Sequence, residues 1–434
     1  MEEYLTEEEK NLILLKYTED SLAKAKESYL AGDYEEAIRK LNMVIMVNPY
    51  YYVFYKRGFY KAESGDYNGA ISDYNEAIES NPNLTEAYLH RGRARAALKL
   101  FNSAIDDYNK AIELNPEEFE AYYFRSLAKY ELGDLQTAIT DLNKVIELKP
   151  DFNPAYILRG FLRTEIGDYS SSIEDVIKAK ELGSESAFIY VLLGISKEFS
   201  GDHDSALQDF NKAIELRPNN NYIYMFRGIV KMRMGNYLEA IQDFNKAIES
   251  YSNSASIYIN RGFSKYNIND YDGAISDFNK AIELNPKEYE AYYYLGTIKY
   301  ELEDFEAAIQ YYNKTIDLQP NLSIAYFKRG SVKDILEDYV GAIQDYSIAI
   351  ELDPNNAEAY FNRAYIKVKL YLYQDAIQDY NKAIELNPED GDAYYNRGLT
   401  KIILKDKKGG LSDLLKSDKL GCNKAKEAIE QYFT

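Results

Sequence analysis

The sequence contains a single cysteine, Cys422, in 434 residues. No intrachain disulfide can form, and a reducing compartment is compatible with the chain. Histidine is almost as scarce. His90 and His203 are the only two and have no cysteine beside them, which argues against a His/Cys metal site. No glycine-rich phosphate loop occurs, since the pair Gly409-Gly410 is far too little for one. The apolar run Leu12 to Leu15 is too short for a signal or membrane segment. Positive charge is in deficit, with 51 Lys and Arg against 71 Asp and Glu, a net charge of −20. Such a field repels nucleic-acid phosphates and anionic lipid, and it favours a basic protein or peptide as partner. Carboxylates are abundant but scattered, and Cys422 has no histidine close in sequence, so nothing points to an active site. These absences lead to the expectation of a cytoplasmic, monomeric chain that is not an enzyme and takes no cofactor or metal.

Proline is also sparse, and its placement is the most informative feature of the chain. Nine of the ten prolines, from Pro49, Pro82, Pro116 and Pro150 through Pro218 to Pro286, Pro320, Pro354 and Pro388, are separated by 33, 34 or 68 residues. A period of 34 means that one small unit is copied along the chain. Twelve units follow, starting near residues 18, 51, 85, 119, 153, 187, 221, 255, 289, 323, 357 and 391. Each carries two apolar stripes of helical spacing with a break between them. At the break, Gly32, Gly65, Gly133, Gly167, Gly201 and Gly235 suit the left-handed end of a first helix. Asp33, Asp66, Asp134, Asp168 and their later equivalents follow, placed to cap a second helix. Glycine recurs at the eighth place, as in Gly58, Gly92, Gly262 and Gly330, inside the first helix where it costs roughly 1 kcal/mol against alanine. Close approach of a neighbouring helix explains that recurrence. Alanines such as Ala70, Ala104 and Ala274 do the same on the second helix, with first-helix tyrosines such as Tyr88, Tyr258 and Tyr394 filling the space beside them.

This pattern of aromatic, glycine, Gly-Asp-Tyr, alanine, aromatic, alanine and proline resembles the tetratricopeptide repeat family over roughly residues 18–420. The resemblance implies an all-α, right-handed superhelix, a solenoid of about twelve 34-residue helix-turn-helix repeats. It also implies that first helices line a concave groove for a peptide or a partner's helix. The domain reading is an N-terminal capping helix over 1–17, repeats one to five over 18–186, repeats six to twelve over 187–420, and a C-terminal capping helix over 421–434.

The sequence departs from the family at the eleventh place, usually aromatic, which here holds Lys or Arg, from Lys61 and Arg95 to Lys367 and Lys401. Arginine stands one turn earlier, as in Arg57, Arg91, Arg261 and Arg397, and the second helices carry Asp73, Asp107, Asp277 and Asp413. A ladder of partly buried ion pairs is expected. In the unit from 289 both partners change together, to Leu295 and Tyr311, as direct contact requires. The unit from 187 has Leu193 yet keeps Asp209.

The array is irregular near Gly183, where the unit from 153 ends in LGSESA much as the last unit ends in LGCNKA. An old junction there could act as a hinge or be packed like the rest. The turns at Lys99-Leu100 and Tyr371-Leu372 lack both glycine and aspartate. Thr6 with Glu9 reads as a capping box, and Ala425, Ala428, Ile429 and Phe433 as the apolar stripe of a final helix.

On the family's geometry the second, fifth, ninth and twelfth places face the groove. Tyr52, Tyr55 and Phe59 fall there early. Phe263, Tyr266, Tyr293, Tyr300, Phe327, Phe361, Tyr365 and Tyr395 fall there later, edged by Glu86, Glu120, Glu290, Glu358 and Asp392. An aromatic, acid-edged trough suits a ligand with apolar anchors and Lys or Arg between them, although the same rings could pack between first helices. The family's chaperone-tail clamp is not expected, because the fifth place is never lysine. The function expected is a non-catalytic scaffold holding a partner protein segment or peptide. An RNA-reading helical repeat and a self-assembling structural spacer are the alternatives, opposed by acidity and by polar end helices respectively.

Overall fold

The computed structural model describes residues 6–433. The chain is an all-α helical-repeat array, with no strand among the described residues. It divides into two compact units, Met1–Arg217 and Pro218–Thr434. In the first, α1 (Glu7–Leu30) pairs with α2 (Tyr34–Val47), α3 (Tyr51–Glu63) with α4 (Tyr67–Ser80), and α5 (Thr85–Ala97) with α6 (Phe101–Leu114). Then α7 (Phe119–Glu131) pairs with α8 (Leu135–Leu148), α9 (Asn153–Glu165) with α10 (Tyr169–Glu181), and α11 (Ala187–Phe199) with α12 (His203–Leu216). In the second, α13 (Asn221–Arg233) pairs with α14 (Tyr237–Ser250), α15 (Ala255–Asn267) with α16 (Tyr271–Leu284), and α17 (Tyr289–Glu301) with α18 (Phe305–Leu318). There α19 (Ser323–Ile335) pairs with α20 (Tyr339–Leu352), α21 (Ala357–Lys369) with α22 (Tyr373–Leu386), and α23 (Gly391–Ile403) with α24 (Lys407–Lys419), before the closing α25 (Asn423–Phe433). No helix among the described residues is long and apolar enough to cross a membrane.

The turn chemistry accounts for the pairing. Gly65 has φ +89°, and the amide of Asp66 reaches back to the Lys61 carbonyl at 2.9 Å, closing the first helix. Asp66 Oδ1 then accepts from the Gly69 amide at 2.9 Å and opens the second. Lys99, Asn269, Glu303, Glu337, Tyr371 and Lys405 occupy the same left-handed position without being glycine. At Lys99-Leu100 and Tyr371-Leu372 the apolar side chains stay in solvent, with Leu100 51 % and Tyr371 78 % exposed.

The eighth-place glycines do mark helix crossings, but the rings that meet them belong to the second helix. A Cβ on Gly92 would lie 2.6 Å from Tyr108, and one on Gly262 would lie 2.9 Å from Phe278. Those second-helix rings are the largest wholly buried side chains of the molecule. The first-helix tyrosines expected in that role instead lie under arginine. Guanidinium groups sit 5.3–5.7 Å from the rings of Phe54, Tyr88, Tyr122, Tyr156, Tyr224, Tyr258, Tyr326, Tyr360 and Tyr394.

The ion-pair ladder is present. Arg261 grips Asp277 with two hydrogen bonds, at 2.8 and 2.6 Å, and Lys265 reaches the same carboxylate at 2.9 Å. Arg57 and Asp73 form the same pair. Arg91–Asp107, Arg125–Asp141, Arg159–Asp175, Arg329–Asp345, Arg363–Asp379 and Arg397–Asp413 do likewise. A further contact ties successive pairs together. The remaining guanidinium nitrogen donates to the preceding second helix, to Asn42, Asn75, Asn109 and Asn143 in one unit and Asn245, Asn313, Ser347 and Asn381 in the other, at 2.6–2.9 Å. Each such arginine therefore joins three helices. Where it is missing the neighbours adapt: Leu295 is wholly buried and Lys299 turns to Asp304 at 2.8 Å. Beside Leu193, Lys197 holds Asp209 at 2.6 Å, and Ile177 stands where other repeats have asparagine.

The ends differ in part from expectation. Residues 1–5 and Thr434 lie outside the described residues. The Thr6–Glu9 capping box is formed, but the N-terminal cap is not a separate helix, because α1 runs unbroken from Glu7 to Leu30 and so includes the first helix of the first repeat. Ala425 and Ala428 of α25 are buried against Leu414. The segment around Gly183 lies inside the N-terminal unit and is stitched across. The hydroxyls of Thr164, Ser172 and Ser196 lie within 2.8–3.0 Å of one another, and Asn153 Nδ2 donates to the Ala179 carbonyl at 2.8 Å.

Candidate functional site

Within each unit, successive first helices touch one another, as α3 touches α5 and α5 touches α7, or α15, α17, α19, α21 and α23 in turn. They form one face of the stack, and the expected site residues lie along it.

In the C-terminal unit many of the expected rings pack on one another. Phe263, Tyr266 and Tyr293 surround Tyr294 at ring-centre distances of 5.3, 6.3 and 5.3 Å, and Tyr294 itself stacks on Phe278. Burial in this cluster pushes the Tyr294 hydroxyl up to about 12. Tyr300 packs on Phe305 and Phe361 on Tyr380. Phe327 is only 5 % exposed and packs against Tyr346, so it is a core ring rather than a surface anchor. Tyr395 is half-buried against the last helices. Tyr365 is the most exposed of the eight at 41 %, and Lys369 Nζ lies 4.7 Å from its ring centre. Glu290 and Glu358 are exposed, as is Asp392.

In the N-terminal unit the same face is pocketed. A pocket of about 300 Å³ between α1 and α3 is walled by Tyr29, Tyr52, Lys56 and Phe59. A second, of about 200 Å³ between α3 and α5, shares Phe59 and adds Glu63, Tyr74, His90 and Arg93. A third, of about 170 Å³ between α5 and α7, shares Arg93 and adds Tyr108 and Phe124. Arg93 lies 4.6 Å from the Phe124 ring centre. His90 is ringed by Tyr55, Phe59 and Tyr74. Burial, with Arg93 and Lys56 nearby, lowers its pKa to about 4.

Sequence reasoning missed His90, Arg93 and Tyr294 as members of this face. The signal was available: His90, Phe124 and Tyr294 all occupy the sixth place, on the same side of the first helix as the ninth. Elsewhere, Cys422 Sγ lies 3.6 Å from Asp392 Oδ1. Among the described residues no group of three or more His, Cys, Asp and Glu is placed to hold a metal ion.

Comparison with known proteins bears on the repeat directly. One model of the tetratricopeptide repeat matches residues 191–255 and 260–323, and another matches 85–118 and 119–152. A TPR repeat model matches 61–99, 335–370 and 373–401. No curated protein matches the sequence. Similar solved structures include YrrB, a TPR protein with an unusual peptide-binding site, at 23 % identity over 42 % of this chain and 95 % of that one, TM-score 0.37. Yeast Tom70 is 17 % identical over 90 % and 96 %, TM-score 0.44, and MamA is 28 % identical over 39 % and 92 %, TM-score 0.37.

Proposed function

This chain belongs to the tetratricopeptide repeat family, and from that premise we propose that it is a non-catalytic scaffold whose first-helix face holds a segment of a partner protein. The segment suited to the C-terminal unit is basic with apolar anchors. One observation carries this reading: Tyr365 presents its ring to solvent and already accepts a cation from Lys369, and the exposed Glu358 lies about two turns back along the same helix. Successive Lys or Arg residues of a ligand would find the same ring chemistry and, further along the face, a carboxylate. The mechanism is preorganisation. The helices are fixed by the arginine ladder before binding, so the ordering entropy falls on the ligand.

Selection of random peptides on the immobilised full chain tests it. Recovered sequences should be rich in Lys or Arg alternating with aromatic or aliphatic residues. A Glu290→Lys/Glu358→Lys/Tyr365→Ser variant, altered only at exposed positions, should lose that enrichment. Equal enrichment on the variant, or salt-dependent retention of RNA by the parent in a filter assay, would overturn the reading. A second reading, self-association, is favoured by the apolar patch where Ile13, Leu14, Tyr17 and Val47 line a shallow depression on α1 and α2. Mass rising with concentration in light scattering would support it.

A further inference from the structure

At one repeat interface of the C-terminal unit the chain surrounds a cation of its own with two rings and a carboxylate. Lys369 Nζ lies 4.7 Å from the Tyr365 ring centre and 4.9 Å from that of Tyr339, and it donates to Asp334 Oδ1 at 3.4 Å. The set comes from three helices. Asp334 is in the last turn of α19, Tyr339 opens α20, and Tyr365 and Lys369 stand one turn apart on α21. Tyr365 and Lys369 are exposed, and Asp334 and Tyr339 are half-buried. Across the units, tyrosine takes the ninth place only as Tyr365, and lysine the thirteenth only as Lys369. Aspartate takes the twelfth only as Asp334. Three residue types, each unique at its place, thus meet at a single interface. Stability of the stack does not call for them, because the arginine ladder already ties these helices: Arg329 reaches Asp345, and Arg363 reaches Asp379 and Ser347. A surface ion pair adds little to that.

We propose that Tyr339, Tyr365 and Asp334 form a cage for a lysine side chain of the bound segment, and that Lys369 is its resident occupant, displaced on binding. The inference rests on the first-helix face being the ligand surface. A ligand ammonium reproduces the contacts of Lys369: the ring faces attract its charge, and Asp334 accepts an N–H. A carboxylate is repelled by Asp334, and an aliphatic group offers the rings no charge. Lys369 is then a tethered competitor. It lowers the apparent affinity by the fraction of time it fills the cage. A ligand cation therefore binds better once Lys369 is removed, whereas loss of a lysine that only staples helices together brings no such gain.

The test uses full-length protein carrying 3-fluorotyrosine at position 365 as a single ¹⁹F reporter. The probes are N-acetyllysine methylamide and its norleucine counterpart at pH 7. Lys369→Ala changes only an exposed position. In that variant the lysine probe should shift the reporter saturably and bind about three- to ten-fold tighter than in the parent. The norleucine probe should give no saturable shift. Lys369→Ala/Tyr339→Leu carries the same charge without the second ring, and its affinity for the lysine probe should fall about two- to five-fold below that of Lys369→Ala. Equal affinity in the parent and Lys369→Ala, an equal response to norleucine, or undiminished affinity without Tyr339 would overturn the cage. If peptide selection on the parent succeeds while Lys369→Ala gains nothing, the cage alone fails and the scaffold reading stands.

Discussion

The arginine ladder yields a prediction that the chain has in effect already tried on itself. Arg261 makes two hydrogen bonds to Asp277, which is 2 % exposed, and a third to Asn245 of the preceding repeat. Arg261→Leu removes all three and leaves Asp277 buried with Lys265 as its remaining cation. Breaking one side of a buried pair should cost about 3 kcal/mol, reduced toward about 2 by the retained lysine. The next repeat has Leu295 and Tyr311 at the two equivalent places, and its lysine turns to the turn aspartate, Lys299 to Asp304. Arg261→Leu/Asp277→Tyr copies that arrangement and frees Lys265 to turn to Asp270. The double variant should therefore lie within about 1 kcal/mol of the parent, a coupling of about 2 kcal/mol between the two positions. Urea unfolding of the full chain by circular dichroism, with hydrogen exchange over residues 255–284, measures both. Additive losses, to within about 0.5 kcal/mol, would refute the claim that these two side chains act as one unit.

Other consequences follow from single positions. His90 has a folded pKa of about 4 against an ordinary value of 6.5, so the unfolded chain binds the extra proton between those values. Its contribution is whole above pH 6.5 and lost as pH falls to 4, worth about 3 kcal/mol; His90→Phe should flatten the urea midpoint across that window, and an unchanged slope would contradict it. Tyr371 is 78 % exposed at φ 62°, and Tyr371→Gly should raise thermal stability by about 1 kcal/mol, where no rise would show the turn to be unstrained. In Gly92→Ala a Cβ would sit 2.6 Å from Tyr108, so the helix-propensity gain of about 1 kcal/mol should be outweighed and the net loss should be about 1–2 kcal/mol. Hydrogen exchange over residues 176–194 should be as slow as in neighbouring repeats if the Thr164–Ser172–Ser196 contacts hold; fast exchange there would indicate a hinge.

The repeat, its register and its turns were legible because each depends on a local demand that recurs. A left-handed turn favours glycine, the cap that follows favours aspartate, and both return every 34 residues. The ion pairs were legible because charge inside a stack must be matched, as the joint loss at Leu295 and Tyr311 shows. Asn245 and its equivalents were not, since a neutral amide on a second helix leaves no imbalance that a partner must correct. The binding face was legible in direction but not in detail. Periodicity puts Phe327 and Tyr365 on the same side of a helix, yet the first is 5 % and the second 41 % exposed. That difference is set by what the adjacent helices bring against each ring. The His90 pocket was hidden for the same reason, because its walls come from α3, α4 and α5 together and the periodicity of one helix does not show them.

Where a ligand sits is the most direct question for the scaffold account. A photo-reactive benzoylphenylalanine placed at Tyr365 on the first-helix face, or at Glu283 on the solvent side of α16, can be irradiated with a selected basic peptide bound to the full chain. The account predicts an adduct from position 365, abolished by Glu290→Lys/Glu358→Lys, and none from 283. Adducts from 283 alone, or equally from both, would contradict it.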